Sequence, residues 1–319
     1  ISPILISLLG GFALLCVCLV SSAFCADGQD GPPVRSLQVI DTDNVGDEIK
    51  FPSSIYYDAE ADEIYFTNSR KGTVVICDAT YFPLFDVGAG RGVFYPESTF
   101  VKNDLIYFCA SPAKGETQGH IAVYNRAFMP VRKIFVTGVP GIEEFKPKSL
   151  VVGDNGLLYV VGIDYGNLYV LDKDGRYLRS ISPQEEVLGV PEEASMRSVV
   201  EGNDGRLYLL SESFGRIYVY DQTEKFLFKF GNKGGSSAKL SRPRGLAVDP
   251  ANGRVFVADY MRHTVNVYAE NGEYLFEFGG LGNGRGWFFY PTDVTVDGRG
   301  NVLVADTFNH RVQVFKVVR

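Results

Sequence analysis

Beyond residue 50, apolar and polar positions alternate in short bursts, none of helical length. Nearly unbroken apolar runs stand at Ile64–Phe66, Leu105–Phe108, Leu157–Val161, Leu207–Leu210, Val255–Val257 and Val302–Val304. Each is followed by a second run, at Val74–Ile76, Ile121–Tyr124, Leu168–Leu171, Ile217–Tyr220, Val265–Tyr268 and Val312–Phe315. Short apolar runs bounded by turn residues predict strands covered on both faces. The turns are explicit. Gly153–Gly156, Gly202–Gly205, Asp249–Gly253 and Asp297–Gly300 are built from Gly, Asn, Asp and Pro, plus one Arg or Ala. Gly, Asn and Asp supply the positive φ that a tight hairpin needs.

These runs fall into a unit written six times. Each unit opens with an aromatic, basic or small residue, usually followed by Pro: Phe51-Pro52, Tyr95-Pro96, Lys146-Pro147, Ser195-Met196, Arg242-Pro243 and Tyr290-Pro291. The openings recur every 44 to 51 residues. Repeats of this length, rich in short strands, predict an all-β propeller of four-stranded antiparallel blades. The last unit stops at Arg319 without an outer strand. Val34–Ile40 runs into Phe51-Pro52 as Tyr274–Phe278 runs into Tyr290-Pro291. The N-terminal strand is therefore expected to complete the last blade and close the ring, a non-local contact that makes folding cooperative and slow.

The turn between second and third strands is distinctive. Asp259-Tyr-Met-Arg-His263 and Asp306-Thr-Phe-Asn-His310, with Phe230-Gly231, Phe278-Gly279-Gly280 and the Pro-x-Gly-[Leu/Val] type of opening, resemble NHL repeats. The resemblance is clear over 225–319, weaker over 146–224 and degenerate over 51–145. It implies a six-bladed propeller. Such propellers typically bind protein or RNA, and similar rings include lyases and hydrolases.

Ahead of the repeats, residues 1–26 carry no charge, and Ile4–Phe24 is apolar but for serines and glycines. As a helix the run is about 30 Å long, enough to cross a bilayer. It reads as a cleaved secretory signal, with small residues near Ala23-Phe24-Cys25, or as a retained anchor. The expected organisation is thus 1–26 leader or anchor helix, 27–33 linker and 34–319 propeller, with the propeller exported. Net charge is −7, which argues against sequence-independent nucleic-acid binding. Cys16, Cys18 and Cys25 sit in the leader; Cys77 and Cys109 lie in neighbouring repeats, at strand ends, as a bridge or as buried thiols.

The sequence offers little catalytic chemistry. His263 and His310 share one slot of the repeat and His120 falls one place later; they read as turn packing rather than as a metal set, which needs three converging ligands. Asp259 and Asp306 are expected to accept hydrogen bonds from the turn that follows, with Arg311 beside Asp306. Gly279–Gly286 looks like a phosphate-cradling loop, but no helix follows it, and Gly88–Gly92 and Gly231–Gly235 repeat it as a linker. No cofactor or metal is expected.

One column is different. The links between blades and the turns between second and third strands share a face, so the residue after each Pro lies near the channel mouth. Round the ring it reads Ser53, Glu97, Lys148, Arg197, Arg244 and Thr292. Lys148, Arg197 and Arg244 form a candidate anchor for a carboxylate or phosphate of a partner, with Glu97 and Asp293 as nearby acids. The irregular links Ser111–Gly119 and Ser182–Ala194 add surface. The reading is an exported or membrane-tethered interaction scaffold, or accessory subunit of an envelope complex, whose partner is another protein. The alternative is a metal-dependent propeller enzyme, lactonase- or amidating-lyase-like.

Overall fold

The computed structural model describes residues 33–318. The expected leader helix and most of the linker lie outside the described residues. Within them are six four-stranded antiparallel sheets and one separate hairpin.

The strands are numbered along the chain. β1 is Val34–Ile40. Blade 1 is β2 Ile55–Asp58, β3 Glu63–Asn68, β4 Thr73–Cys77 and β5 Pro83–Val87. Blade 2 is β6 Pro96–Lys102, β7 Leu105–Ala110, β8 His120–Asn125 and β9 Pro130–Ile134. Blade 3 is β10 Pro147–Val152, β11 Leu158–Gly162, β12 Leu168–Leu171 and β13 Tyr177–Ile181. The hairpin β14 Gln184–Val187 and β15 Val190–Glu193 follows. Blade 4 is β16 Met196–Glu201, β17 Leu207–Ser211, β18 Arg216–Tyr220 and β19 Phe226–Phe230. Blade 5 is β20 Pro243–Val248, β21 Val255–Asp259, β22 Thr264–Tyr268 and β23 Tyr274–Gly279. Blade 6 is β24 Asp293–Val296, β25 Asn301–Asp306 and β26 Arg311–Val317, completed by β1.

The first strand of every blade touches the first strands of both neighbours, so the six close a ring around a central channel. The apolar core is not central. It is divided into six clusters, one between each pair of adjacent blades. This is why the second and third strands read as continuous apolar runs: both faces of each sheet are covered by a neighbour.

Ring closure follows the expected route. β1 pairs with β26 from Val34 opposite Val317 to Ile40 opposite Val312. Side chains fasten the same seam. Thr307 Oγ1 donates to Pro52 O at 2.7 Å. Ile55 N donates to Asp293 Oδ2 at 3.0 Å. Tyr81 OH donates to Asp297 Oδ2 at 2.6 Å and accepts from Asn301 Nδ2 at 2.6 Å.

Each outer strand carries a β-bulge at the same place. The skipped residues are Leu37, Leu84, Val131, Leu178, Leu227 and Leu275. A bulge twists an exposed edge away from flat pairing with another chain.

One detail differs from the sequence reading. The link 182–194 is not irregular but holds the β14–β15 hairpin, turned at Leu188 and Gly189, both at positive φ. Its anchors are distant in sequence: Glu185 accepts from Tyr218 OH and from Lys229 Nζ, each at 2.8 Å. Cys77 ends β4 and Cys109 is the penultimate residue of β7, at the strand ends expected. Cys77 and Cys109 are both free and buried, and burial pushes the Cys109 thiol up to about 12, which makes it a poor nucleophile.

Tyr81→Phe tests the closing seam. It takes one donor from the fully buried Asp297 carboxylate, so stability is expected to fall by about 1–3 kcal/mol. A melting temperature equal to wild type would show that this bond does not hold the seam.

Candidate functional site

The charged column arises from a second set of bulges, on the inner strands. In blade 2 the ladder runs from Pro96 opposite Ala110 directly to Ser98 opposite Cys109. The same skip follows Pro147, Met196 and Pro243. The four residues left without a ladder partner are Glu97, Lys148, Arg197 and Arg244. A bulge re-aims its side chain, and an opening Pro, with no N–H, suits the start of such a strand. Blades 1 and 6 complete the column with hydroxyls: Thr292 Oγ1 donates to Ser53 O at 3.0 Å.

The bulged side chains gather at one end of the channel. Lys148 Nζ stands 3.6 Å from Glu97 Oε2, with 24% of the Lys148 side chain still open to solvent. Glu97 also accepts from Ser111 Oγ at 2.7 Å. Arg197 Nε lies 3.7 Å from Glu212 Oε2, beyond hydrogen-bond reach, and Glu212 is held by Arg242 as well. The Arg244 guanidinium lies 3.8 Å over the Tyr260 ring. No carboxylate comes within ion-pair distance of Arg244 among the described residues. The Nε atoms of Arg197 and Arg244 are both buried without a hydrogen-bond partner.

Four cations (Lys148, Arg197, Arg242, Arg244) therefore face three carboxylates (Glu97, Glu212, Asp293). One of those carboxylates is weakened. Burial pushes Asp293 up to about 6, against the hydrogen bonds from Ile55 N and Val294 N and the charge of Lys148. Burial lowers the pKa of Lys148, helped by Arg197 and Arg244 and opposed by Glu97 and Asp293. Burial also lowers that of Arg244, assisted by Arg197. Desolvated cations with unfilled donors favour an incoming anion.

Gly245 lets Asp293 into this cluster. A Cβ at Gly245 would stand 2.4 Å from the Asp293 Cα and 2.8 Å from its Oδ1. Asp293 lies one position further along the column, level with Ser54, Ser98, Ser149 and Ser198. These five line the inner end of a channel cavity of about 490 Å³, which runs to the opposite face at Asp154 and Glu201.

The remaining candidates are structural. His263 Nδ1 accepts from Tyr290 N at 3.0 Å and His310 Nδ1 from Phe51 N at 3.3 Å. Each imidazole ties its turn to the opening of the next blade. His120 is buried, and neither of its nitrogens has a partner. Asp259 accepts from the N–H groups of Ser241, Arg242, Met261 and Arg262. Asp306 accepts from Phe289 N, Asn309 Nδ2 and Arg311 Nε. The glycine loop turns carbonyls towards this repeat: Gly282 O accepts from Asn309 Nδ2, and Gly284 O from Arg311 Nη2. Two of its carbonyls are thus engaged by the repeat, and Gly286 N donates to Gln313 Oε1 at 3.0 Å. Among the described residues no three His, Cys, Asp or Glu converge as metal ligands, and no helix is long and apolar enough to cross a membrane.

Sequence reasoning missed Glu212, Arg242 and Tyr260. The signal for Arg242 and Tyr260 was their place in the opening and the turn that meet on this face; Glu212 had only its position after a strand end.

The family model for the NHL repeat matches residues 240–268 and 288–315. No curated protein matches by sequence. Among solved structures, a protein of unknown function from Bacteroides thetaiotaomicron has a TM-score of 0.62 at 14% identity, over 84% of this chain and 69% of that one. Virginiamycin B lyase from Staphylococcus aureus has a TM-score of 0.60 at 9% identity, over 89% and 100%. An auxiliary nutrient binding protein from Bacteroides ovatus has a TM-score of 0.61 at 17% identity, over 87% and 70%. At such identities the likeness is one of fold.

The mouth should take up anions more readily in acid. An ionised Asp293 opposes an anion beside Lys148, Arg197 and Arg244, and its charge is lost as pH falls through about 6. Lowering the pH also keeps Lys148 charged, so both groups act in one direction. Sulfate should raise the melting temperature more at about pH 5.5 than at about pH 7.5, because a ligand stabilises the state it binds. Asp293→Asn should flatten that difference. A profile of opposite slope, or one the variant leaves unchanged, contradicts the assignment.

Proposed function

This chain is a six-bladed β-propeller that carries NHL repeats, and from that premise we propose that it is a non-enzymatic interaction module whose channel mouth holds an acidic group of a partner protein. An NHL-repeat propeller fits a protein-interaction scaffold. The observation that carries the site is the pair of buried Nε atoms on Arg197 and Arg244 that have no hydrogen-bond partner. In a chain of net charge −7, a local excess of cations with unfilled donors selects an anion by charge and by hydrogen bonding.

Export, as a secreted or membrane-held accessory subunit of an envelope complex, is part of the same proposal. It is supported by the uncharged apolar run Ile4–Phe24, long enough for a signal or an anchor. Intact-mass measurement on the protein from its native cells distinguishes the two. The second reading, a metal-dependent enzyme, is favoured only by the fold shared with virginiamycin B lyase.

The test is cross-linking of the full chain in its native cells, followed by quantitative mass spectrometry. Lys148→Ala, Arg197→Ala and Arg244→Ala together should abolish capture of the wild-type partner while leaving the melting temperature within a few degrees. Capture that survives the triple change removes the mouth from the proposal. A stoichiometric metal in the purified protein, found by elemental analysis together with hydrolytic or lyase turnover, replaces the interaction reading with the enzyme.

A further inference from the structure

A run of aromatic rings crosses blades 5, 6 and 1 on the face that carries the mouth. Tyr260 and Tyr290 stack with centroids 4.6 Å apart. Tyr290 meets Phe308 at 5.3 Å, and Phe308 meets Phe51 at 5.6 Å. The run begins at the cations, since Tyr260 is the ring beneath Arg244. Its outer side is open: Phe308 is 42% exposed and Phe289, which packs on it, 36%.

The fold spends conformational energy on this arrangement. Phe51 and Tyr290 have φ of 53° and 55°, the left-handed region, although each is bulky and precedes Pro. Such a backbone costs on the order of 1–3 kcal/mol per residue. His310 and His263 hold the two N–H groups in place. Ring geometry alone does not require the strain. Blades 3, 4 and 5 open with Lys146, Ser195 and Arg242 at the same position without positive φ, whereas blade 2, outside the run, opens with Tyr95 at φ 44°.

We infer that the aromatic run and the cationic mouth form one groove that receives the free C-terminus of a partner protein, with its carboxylate among Lys148, Arg197 and Arg244 and its preceding aromatic or proline side chains on Tyr290, Phe308 and Phe289. The inference rests on the reading of this face as a docking site and names what docks. Charge complementarity selects the carboxylate. The three cations come from successive blades and gather at the end of the channel, one strand position outside the side chains that line its cavity. A chain end enters such an opening end-on, whereas a passing segment lies across it. Exposed aromatic faces accept proline and aromatic side chains. A nucleic-acid strand needs a longer unopposed row of cations, and here four cations face three carboxylates.

The test uses random heptapeptides displayed in two formats on the same carrier, one ending in a free C-terminus and one continued by a neutral tail, selected against the purified full chain. The free-ended format alone should enrich, for Phe, Tyr, Trp or Pro in its last positions. The best peptide, synthesised, should lose at least tenfold in affinity as its C-terminal amide. Phe308→Ala should weaken it about tenfold, and so should Phe308→Gln, which keeps side-chain length and guards against a folding artefact. Phe82→Ala, an exposed ring before an outer strand, should change nothing. Equal enrichment of both formats, an amide that binds as tightly as the acid, or tighter binding of oligouridine than of any selected peptide overturns the inference. The two readings fail separately. Partner capture that needs the three cations but not a free C-terminus leaves the interaction module standing and removes this groove; capture indifferent to the cations removes the module's site itself.

Discussion

Each four-stranded blade has two apolar faces and can cover neither by itself. The core is divided into six clusters between neighbouring blades, so an open ring would leave two of those faces in water. Closing the ring is therefore the constraint on which the rest depends, and it falls on the seam between blades 6 and 1. There β1 supplies the fourth strand of a blade whose other three strands lie more than 250 residues away in the chain. Nowhere else is a blade shared between the ends of the chain. The carboxylates Asp293 and Asp297 make the seam specific as well as adhesive, because each gains a donor from blade 1 only when that blade is in register. A hydrophobic seam alone would tolerate small slips; a buried acid that loses its donors does not.

The channel mouth inherits its geometry from that closure. Its column is made by inner strands pressed together around a small circumference, and the bulges after Pro96, Pro147, Met196 and Pro243 turn one charged side chain per blade out of the ladder. Between blades 5 and 6 the fit is tight enough that only glycine serves at 245. The histidines of the repeat contribute as struts rather than as chemistry. Each accepts the N–H of a strained aromatic in the next blade and so sets the height of the aromatic run above the channel.

Electrostatics gives the mouth its sign. The chain as a whole is acidic, yet the cations at the mouth are partly desolvated and incompletely paired, while one neighbouring carboxylate, Asp293, has its pKa raised by burial. Ion pairs at this end, such as Arg197 with Glu212, are long and partly solvated, the class that contributes little to stability.

How much of this was legible in the chain follows from the range of each interaction. The strands, the six units and the closing role of Val34–Ile40 rest on local pattern and on self-similarity, and both are written in the order of residues. The turn roles of Asp259 and Asp306 were equally visible, because their donors lie within the repeat. Even the column through Glu97, Lys148, Arg197 and Arg244 could be placed, since it recurs at one position of the unit. The hairpin at 184–193 could not, because its anchors Tyr218 and Lys229 are brought to Glu185 only by the packing of blade 4. Nor could the bulges be read, or Glu212 beneath two arginines, or the aromatic run that joins Tyr260 to Phe51 across both ends of the chain. Sequence determined the repeat and its closure, since these depend on periodicity. Tertiary structure decided which side chains meet at the axis, since that depends on register between blades and on which charges burial leaves unpaired.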